Sequence, residues 1–209
     1  MSHELVVRGG TVVTAEASVR ADVGVDGGLI TALAPSLPPG RRELDATGLL
    51  VLPGGVDVHT HLDAQVGGVR TADDFESGTA AAACGGVTTI CDYAWQAGGQ
   101  TLTEAIEAWK IKAVGRCHVD YGFHVIVGDA SDGTLAEIPR LADIGYPSLK
   151  VFMINEFGIG DAALLRLLGA AKDARAIVNV HAENGDMLDH CARTMLAAKL
   201  SAARVAMPA

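Results

Sequence analysis

The sequence predicts an α/β protein in which a partial TIM (β/α)8-type barrel follows part of a small β-sandwich domain. Short strand patterns separated by turn residues fill the first fifty or so positions. From Leu49 onward, strand-like and helix-like segments alternate through about five units, which is typical of a parallel sheet. We therefore expect a partial sandwich over 1–50, an incomplete barrel over 51–200 and an atypical tail over 201–209.

Composition excludes several classes of protein. Of the 209 residues, 49% are hydrophobic and 20% are charged, so the chain can bury a core. A net charge of −9 argues against nucleic acid as a partner, because phosphate binding needs clustered Lys and Arg. We expect no membrane partner, because no apolar run approaches the roughly 18 residues of a span. The start shows no secretory pattern and the cysteines show no paired spacing, so we expect a cytoplasmic protein.

Residues 4–50 are interpreted as pieces of an antiparallel sheet. The expected strands are Leu5–Val7, Thr11–Thr14, Val23–Val25 and Leu29–Leu33. A turn at Gly9-Gly10 separates the first two, and Asp26-Gly27-Gly28 is a strong hairpin signal between the last two. Residues 35–40, with three prolines, form a loop. These strands are too few to close a sandwich alone.

The barrel part begins where the apolar run Leu49–Leu52 meets the break Pro53-Gly54-Gly55 and resumes as a strand through His61. The following expected strands are Val87–Cys91, His118–Val127, Ser148–Met153 and Ala176–His181. The expected helices are Thr71–Ala83, Thr101–Val114, Leu135–Ile144, Asp161–Arg175 and Asp186–Leu200. Thr71 is a plausible cap of the first helix, and either Thr101 or Thr103 of the second. A complete eightfold barrel needs three more units.

His59 and His61 end the first barrel strand. Residues two apart on a strand share a face, so both imidazoles project together while Thr60 faces away. Two neutral imidazoles on one wall suit a divalent metal, and barrel ligands gather at the carboxyl ends of strands. The alternative is two ordinary core or surface histidines.

Lys150 and His181 also lie at or near strand ends. A charged lysine inside an apolar strand is costly unless it is paired or its pKa falls. The alternative is a strand-end lysine whose amine reaches water. An ammonium has no lone pair for a metal, so Lys150 binds one only when it is neutral or converted to a carbamate by carbon dioxide. His181 opens a polar turn, where a hydrogen-bonded loop histidine is an equal alternative; Cys91 is a weaker candidate ligand.

Four stretches carry a family resemblance. They are Pro53–Asp63 (PGGVDVHTHLD), Thr71–Thr89 (TADDFESGTAAAACGGVTT), Ser148–Met153 (SLKVFM) and His181–Asp186 (HAENGD). In this order they resemble the dihydropyrimidinase and D-hydantoinase branch of the amidohydrolase superfamily, and the similarity covers roughly residues 45–195.

The resemblance implies a binuclear centre of two divalent metal ions, most often zinc. His59 and His61 would hold one ion, His181 the other, and carboxylated Lys150 would bridge both. Such a centre activates water and polarises a carbonyl for hydrolysis of a small cyclic amide or imide. The family also implies a homo-oligomer, possibly a tetramer.

The sequence departs from the family pattern in three ways. It ends after the fifth unit, whereas the family's further histidine ligand and its catalytic aspartate come from later strands, so no catalytic residue is assigned. Asn155 occupies a position where the family usually has a substrate-binding tyrosine, and Gln65-Val66 replaces a common Pro-Phe pair. We expect the amino-terminal portion of a cyclic-amide hydrolase, acting as a truncated form. The alternatives are an inactive truncated gene product and a non-catalytic scaffold homologue.

Overall fold

The computed structural model describes residues 2–66, 68–154 and 158–198. The chain divides into two compact units, one ending at Gly55 and the other beginning at Val56. Within the described ranges, every helix is too short or too polar to cross a membrane.

The first unit is a five-stranded sheet. Its strands are β1 (Leu5–Val13), β2 (Ser18–Asp26), β3 (Leu29–Ala34), β4 (Arg42–Asp45) and β5 (Leu50–Val51). The order is β3-β2-β1-β4, and β5 also pairs with β1. The expectation of an antiparallel sheet is only partly right, because β4 and β5 run parallel to β1. The loop over 35–40 lets the chain cross over before it returns beside β1.

Two glycine turns were expected in this unit, and the structure contains one of them. The hairpin at Asp26-Gly27-Gly28 is confirmed: β2 and β3 pair antiparallel, and both glycines have positive φ. The turn expected at Gly9-Gly10 is wrong, because β1 continues through it with a register shift against β2. Gly9 has a φ of 67° and donates its N–H to Asp22 Oδ1, so the irregularity is absorbed as a bulge.

The second unit alternates strands and helices. Its first elements are β6 (Gly55–Thr60), the short β7 (Gln65–Val66) and β8 (Val69–Arg70), α1 (Phe75–Cys84), β9 (Val87–Trp95) and α2 (Leu102–Ala113). They are followed by β10 (Asp120–Ile126), α3 (Asp132–Asp143), β11 (Ser148–Phe152), α4 (Asp161–Asp173), β12 (Ile177–His181) and α5 (Gly185–Ala197). The main sheet has the order β12-β11-β10-β9-β6, and β9 to β12 pair in parallel. The predicted partial barrel of five strand–helix units is confirmed.

The core of this unit lies between the sheet and its helices. Val125, Leu149 and Val151 on the strands are fully buried. The helices contribute the equally buried Phe75, Leu102, Ile106, Ile138, Leu141 and Leu167. Burying these side chains drives the helices onto the sheet, at roughly 25 cal/mol for each Å² of apolar surface removed from water.

The structure corrects the predicted cap of α1 and decides between the two candidates for the cap of α2. Thr71 does not cap α1, because Asp74 accepts the N–H groups of Glu76 and Ser77. The Thr71 hydroxyl instead accepts a hydrogen bond from the Ala64 N–H at 3.0 Å, outside the helix. Thr101 caps α2, which settles the choice between Thr101 and Thr103. Leu200 and the tail over 201–209 lie outside the described residues.

Candidate metal centre

His59 and His61 project to the same side of the end of β6. Their ring centroids are 5.2 Å apart. Both rings contact Tyr93 of β9, at centroid distances of 4.7 Å for His59 and 4.9 Å for His61. The Tyr93 hydroxyl lies 3.2 Å from His59 Nδ1, within hydrogen-bonding distance. One aromatic ring thus orients both imidazoles.

Lys150 reaches the same ring from β11. Its Nζ lies 6.0 Å from the Tyr93 centroid and 5.1 Å from the Phe152 centroid, and the residue is only 8% exposed. In the part of the chain that the structure describes, no carboxylate pairs with this amine. Burial therefore lowers the pKa of Lys150, which favours the neutral amine.

His181 ends β12 and lies beside Phe152, with the two ring centroids 5.5 Å apart. Its Nε2 is 3.3 Å from Glu183 Oε2. The structure therefore gathers His59, His61 and Lys150 around Tyr93, and it places His181 against the ring that Lys150 also contacts. Asn155 lies outside the described residues.

The histidine chemistry suits a metal cation. Burial, followed by the nearby charge of Lys150, lowers the pKa of His59. Burial, followed by His59 and Lys150, lowers the pKa of His61. Both shifts favour neutral imidazoles with lone pairs to donate. His61 Nδ1 is buried and has no hydrogen-bond partner within the described ranges, so a buried nitrogen is left for another group to bind.

His59 and His61 are only two metal ligands, fewer than a protein metal site usually has. Over the described ranges, no three His, Cys, Asp or Glu side chains come together as a metal-binding group. Lys150, whose Nζ lies 6.0 Å from the centroid of the Tyr93 ring that both imidazoles contact, is a candidate for a further ligand after conversion to a carboxylate. The residues fit a metal on that condition.

Two neighbours of this group, Asp92 and Tyr93, were not identified from sequence. β9 was expected to end at Cys91, yet it runs on to Trp95 and carries Asp92 and Tyr93 to the histidines. The signal was an acidic residue inside an otherwise apolar strand. His124 was expected to be a core residue or a neighbour of the ligands; its Nε2 lies 2.9 Å from the carbonyl oxygen of Val58, on the strand that carries His59. Burial raises the pKa of the Cys91 thiol, which favours the neutral thiol over the thiolate.

Residues 50–194 match the model of the amidohydrolase family. The chain is 45% identical over 194 residues to the D-hydantoinase of Geobacillus stearothermophilus, covering 91% of this chain and 41% of that protein. It is 42% identical over 204 residues to the dihydropyrimidinase of Rattus norvegicus, covering 93% of this chain and 39% of that protein.

Solved structures give the same result. The crystal structure of dihydropyrimidinase from Brevibacillus agri aligns with a TM-score of 0.88 at 45% identity, covering 92% of this chain and 43% of that one. The chain thus spans about two fifths of the length of the curated relatives it matches.

Proposed function

We propose that this chain, which belongs to the amidohydrolase family, carries the metal-binding strands of a hydrolase that opens the ring of a small cyclic amide or imide. The relatives it resembles are a D-hydantoinase and a dihydropyrimidinase. The observation that carries the proposal is the grouping of His59, His61 and Lys150 around the Tyr93 ring.

In this proposal His59, His61, His181 and a carbamate on Lys150 would hold two divalent metal ions. Zinc is the expected metal, because imidazole and carboxylate oxygen both suit it. The two ions supply Lewis-acid activation of water and of the amide carbonyl. Ring opening then adds water across the C–N bond, with hydroxyl to carbon and hydrogen to nitrogen.

The surroundings of Lys150 favour carbamate formation. A neutral amine is required, because its lone pair forms the new N–C bond with carbon dioxide before a proton leaves. Burial lowers the pKa of Lys150 and so raises the neutral fraction at a given pH. The carbamate changes a buried cationic side chain into a carboxylate-like one, which is better suited to the cations than to the apolar strand.

Tyr93 orients the centre in this proposal. A histidine that binds metal through one ring nitrogen generally has its other nitrogen engaged. The 3.2 Å contact between Tyr93 Oη and His59 Nδ1 supplies such a partner. His59 would then offer Nε2 to the cation. Asn155 remains the proposed substrate-contacting residue, and assembly into a homo-oligomer, possibly a tetramer, remains part of the proposal.

Metal loading tests the proposal. The purified chain is stripped of metal, incubated with Zn²⁺ and bicarbonate, and analysed for zinc per chain. We expect wild-type protein to retain zinc, and the variants His59→Asn and His61→Asn to lose most of it. His190→Asn is the matched control, because His190 is an exposed residue of α5.

Hydrolysis is then followed with dihydrouracil and hydantoin. Zinc-dependent ring opening supports the complete proposal. Failure to retain zinc in the presence of bicarbonate contradicts it. Retention of zinc without hydrolysis of either ring contradicts the catalytic part and favours a metal-binding scaffold.

A further inference from the structure

Asp92 is a carboxylate with no solvent exposure in the middle of β9. Its Oδ2 accepts hydrogen bonds from Thr60 Oγ1 at 2.9 Å and from Leu62 N–H at 2.7 Å. Its Oδ1 accepts the N–H of Tyr93 at 2.8 Å and the indole N–H of Trp109 at 3.1 Å. All four donors are neutral groups, and together they give the buried carboxylate two hydrogen bonds at each oxygen.

The two donors to Oδ2 bracket His61 in the sequence. Thr60 precedes His61 and points to the opposite side of β6, since successive side chains on a strand alternate. Leu62 follows His61 and donates its backbone N–H. Asp92 therefore binds the residues before and after His61 from the opposite face of the strand. These contacts restrict the direction in which the His61 side chain leaves the backbone.

The next residue is held as well. Asp63 has a φ of 49°, a left-handed conformation that is unfavourable for a residue other than glycine. Its carbonyl accepts Lys112 Nζ at 2.9 Å, and its N–H donates to the Asp73 carbonyl at 2.9 Å. Lys112 Nζ in turn lies 3.8 Å from the centroid of Trp109, which donates to Asp92. β9 and α2 thus fix the turn from Thr60 to Asp63 together.

A carboxylate is the side chain that can make this arrangement. Each of its oxygens accepts two hydrogen bonds, whereas the amide of asparagine offers one accepting oxygen and a nitrogen that only donates. Replacing Asp92 with Asn leaves two of the four donors facing an N–H₂ group. The shape of the side chain is nevertheless kept.

We propose that Asp92 is a positioning residue that fixes the backbone around His61 and thereby the geometry of the His59–His61 pair. This inference rests on the proposed function, because positioning matters only if the pair binds metal. A purely structural alternative is that Asp92 ties α2 to β9 through Trp109. The two readings differ in what happens to the histidines when the Thr60 hydroxyl is removed and the Trp109 contact is kept.

The test compares wild-type chain with Asp92→Asn and Thr60→Val. Thr60→Val keeps the carboxylate and the Trp109 contact, and removes the hydroxyl behind the histidines, which donates to Asp92 Oδ2 at 2.9 Å and lies 3.3 Å from the Cys91 carbonyl oxygen. Asp22→Asn is the matched control: Asp22 is also a buried carboxylate, but it accepts from Arg8, Gly9 and Leu37 in the first unit. Metal-free protein is titrated with Co²⁺ in bicarbonate, and the visible cobalt absorption is recorded. NMR of the histidine rings follows His59 and His61 without metal.

We expect Asp92→Asn and Thr60→Val to weaken cobalt affinity by about 10- to 100-fold and to alter the cobalt spectrum. Their His59 and His61 ring signals should shift or broaden, with the His190 signal unchanged. Asp22→Asn should retain the wild-type affinity and spectrum. If Asp92→Asn does not fold, Thr60→Val gives the result on its own.

Wild-type affinity and unchanged ring signals in Thr60→Val would overturn the inference while leaving the proposed function intact. A wild-type chain that takes up no cobalt would contradict the proposed function instead. In that case the ring signals of the metal-free variants still decide whether Asp92 positions the histidines.

Discussion

Lys150 is a nearly buried lysine for which we propose a role in the metal centre. Its amine is nearly buried beside Tyr93 and Phe152, and burial lowers its pKa. No ion pair within the described ranges offsets that burial. A side chain that costs folding free energy without a compensating partner is best explained by a role in the site.

Replacing Lys150 with Met separates stability from metal binding. The side chains are similar in volume, so we expect the free energy of unfolding to fall by less than about 1.5 kcal/mol or to rise. Zinc retained per chain should fall sharply, because the proposed carbamate cannot form. Urea unfolding and metal analysis measure the two effects.

Lys110→Met is the control for this substitution, since Lys110 lies at the surface of α2 and pairs with Glu107 at 2.7 Å. It should leave zinc retention unchanged. A loss of more than about 3 kcal/mol in Lys150→Met would instead indicate that the lysine has a buried partner.

Asp26 gives the first unit a defined response to acid. Hydrogen bonds from Thr31 and His3, and then from the Glu4 N–H, lower its pKa from 3.8 to about 2. Because the folded-state pKa lies below the unfolded one, the stabilisation is present above about pH 4 and is lost as the pH falls towards 2. We expect Asp26→Asn to melt below wild type near neutral pH, with the difference shrinking through that window.

Thermal melts followed by circular dichroism across this pH range measure the Asp26 effect. Thr31→Val should change stability in the same direction by a smaller amount, because it removes one donor at 2.7 Å and keeps the carboxylate. A difference between wild type and Asp26→Asn that stays constant down to pH 2 would contradict the assignment.

At the scale of elements, α2 connects local sequence to the site. Thr101 accepts the Glu104 N–H at 3.1 Å, and Glu104 returns a bond to the Thr101 N–H at 2.9 Å, so the start of the helix is closed reciprocally. Its later turns carry Trp109 and Lys112 to the turn after His61. The cap at Thr101 therefore stabilises the same helix that places Trp109 and Lys112 beside this turn.

Removing the Thr101 side chain should lower the free energy of unfolding by about the contribution of one hydrogen bond at the helix start. We expect Thr101→Ala to lower the free energy of unfolding by about 1 kcal/mol. Thr103→Ala, two residues into the helix, should change it by less than about 0.5 kcal/mol. Chemical denaturation of both variants provides the comparison, and equal effects would show that Thr101 does not cap the helix.

At the scale of the whole molecule, the outer strands of the main sheet expose apolar side chains. β6 and β12 are the outer strands in the described sheet, and Val56, Val58 and Ile177 on them are more than half exposed. Exposed apolar residues on the outer strand of a sheet favour pairing with other chains. We therefore expect the described sheet to self-associate along these strands.

A charge on an outer strand should reduce that association. We expect Ile177→Lys, at a position 61% exposed on β12, to slow aggregation at elevated temperature, as followed by light scattering. Ile111→Lys is the control, because Ile111 is 79% exposed but lies on α2. An equal effect of both substitutions would assign the aggregation to general surface hydrophobicity rather than to the strand.

The alternation of strands and helices was predictable from sequence, because hydrophobic periodicity and capping residues act over a few neighbouring positions. The hairpin at Asp26-Gly27-Gly28 follows from such local rules, which also narrowed the cap of α2 to Thr101 or Thr103. The start of α1 did not follow from them, since Thr71 is engaged by the distant backbone of Ala64. The parallel return of β4 beside β1 likewise depends on a crossover that local patterns do not specify.

For the candidate site, the sequence by itself determined which residues could bind a metal: paired histidines at one strand end, a lysine in an apolar strand and a histidine at another strand end. Tertiary structure alone decided that Tyr93 contacts both imidazoles and that Asp92 holds the chain behind them. The physical reason is that ligand chemistry belongs to each side chain, whereas distances between side chains on different strands depend on sheet order and register.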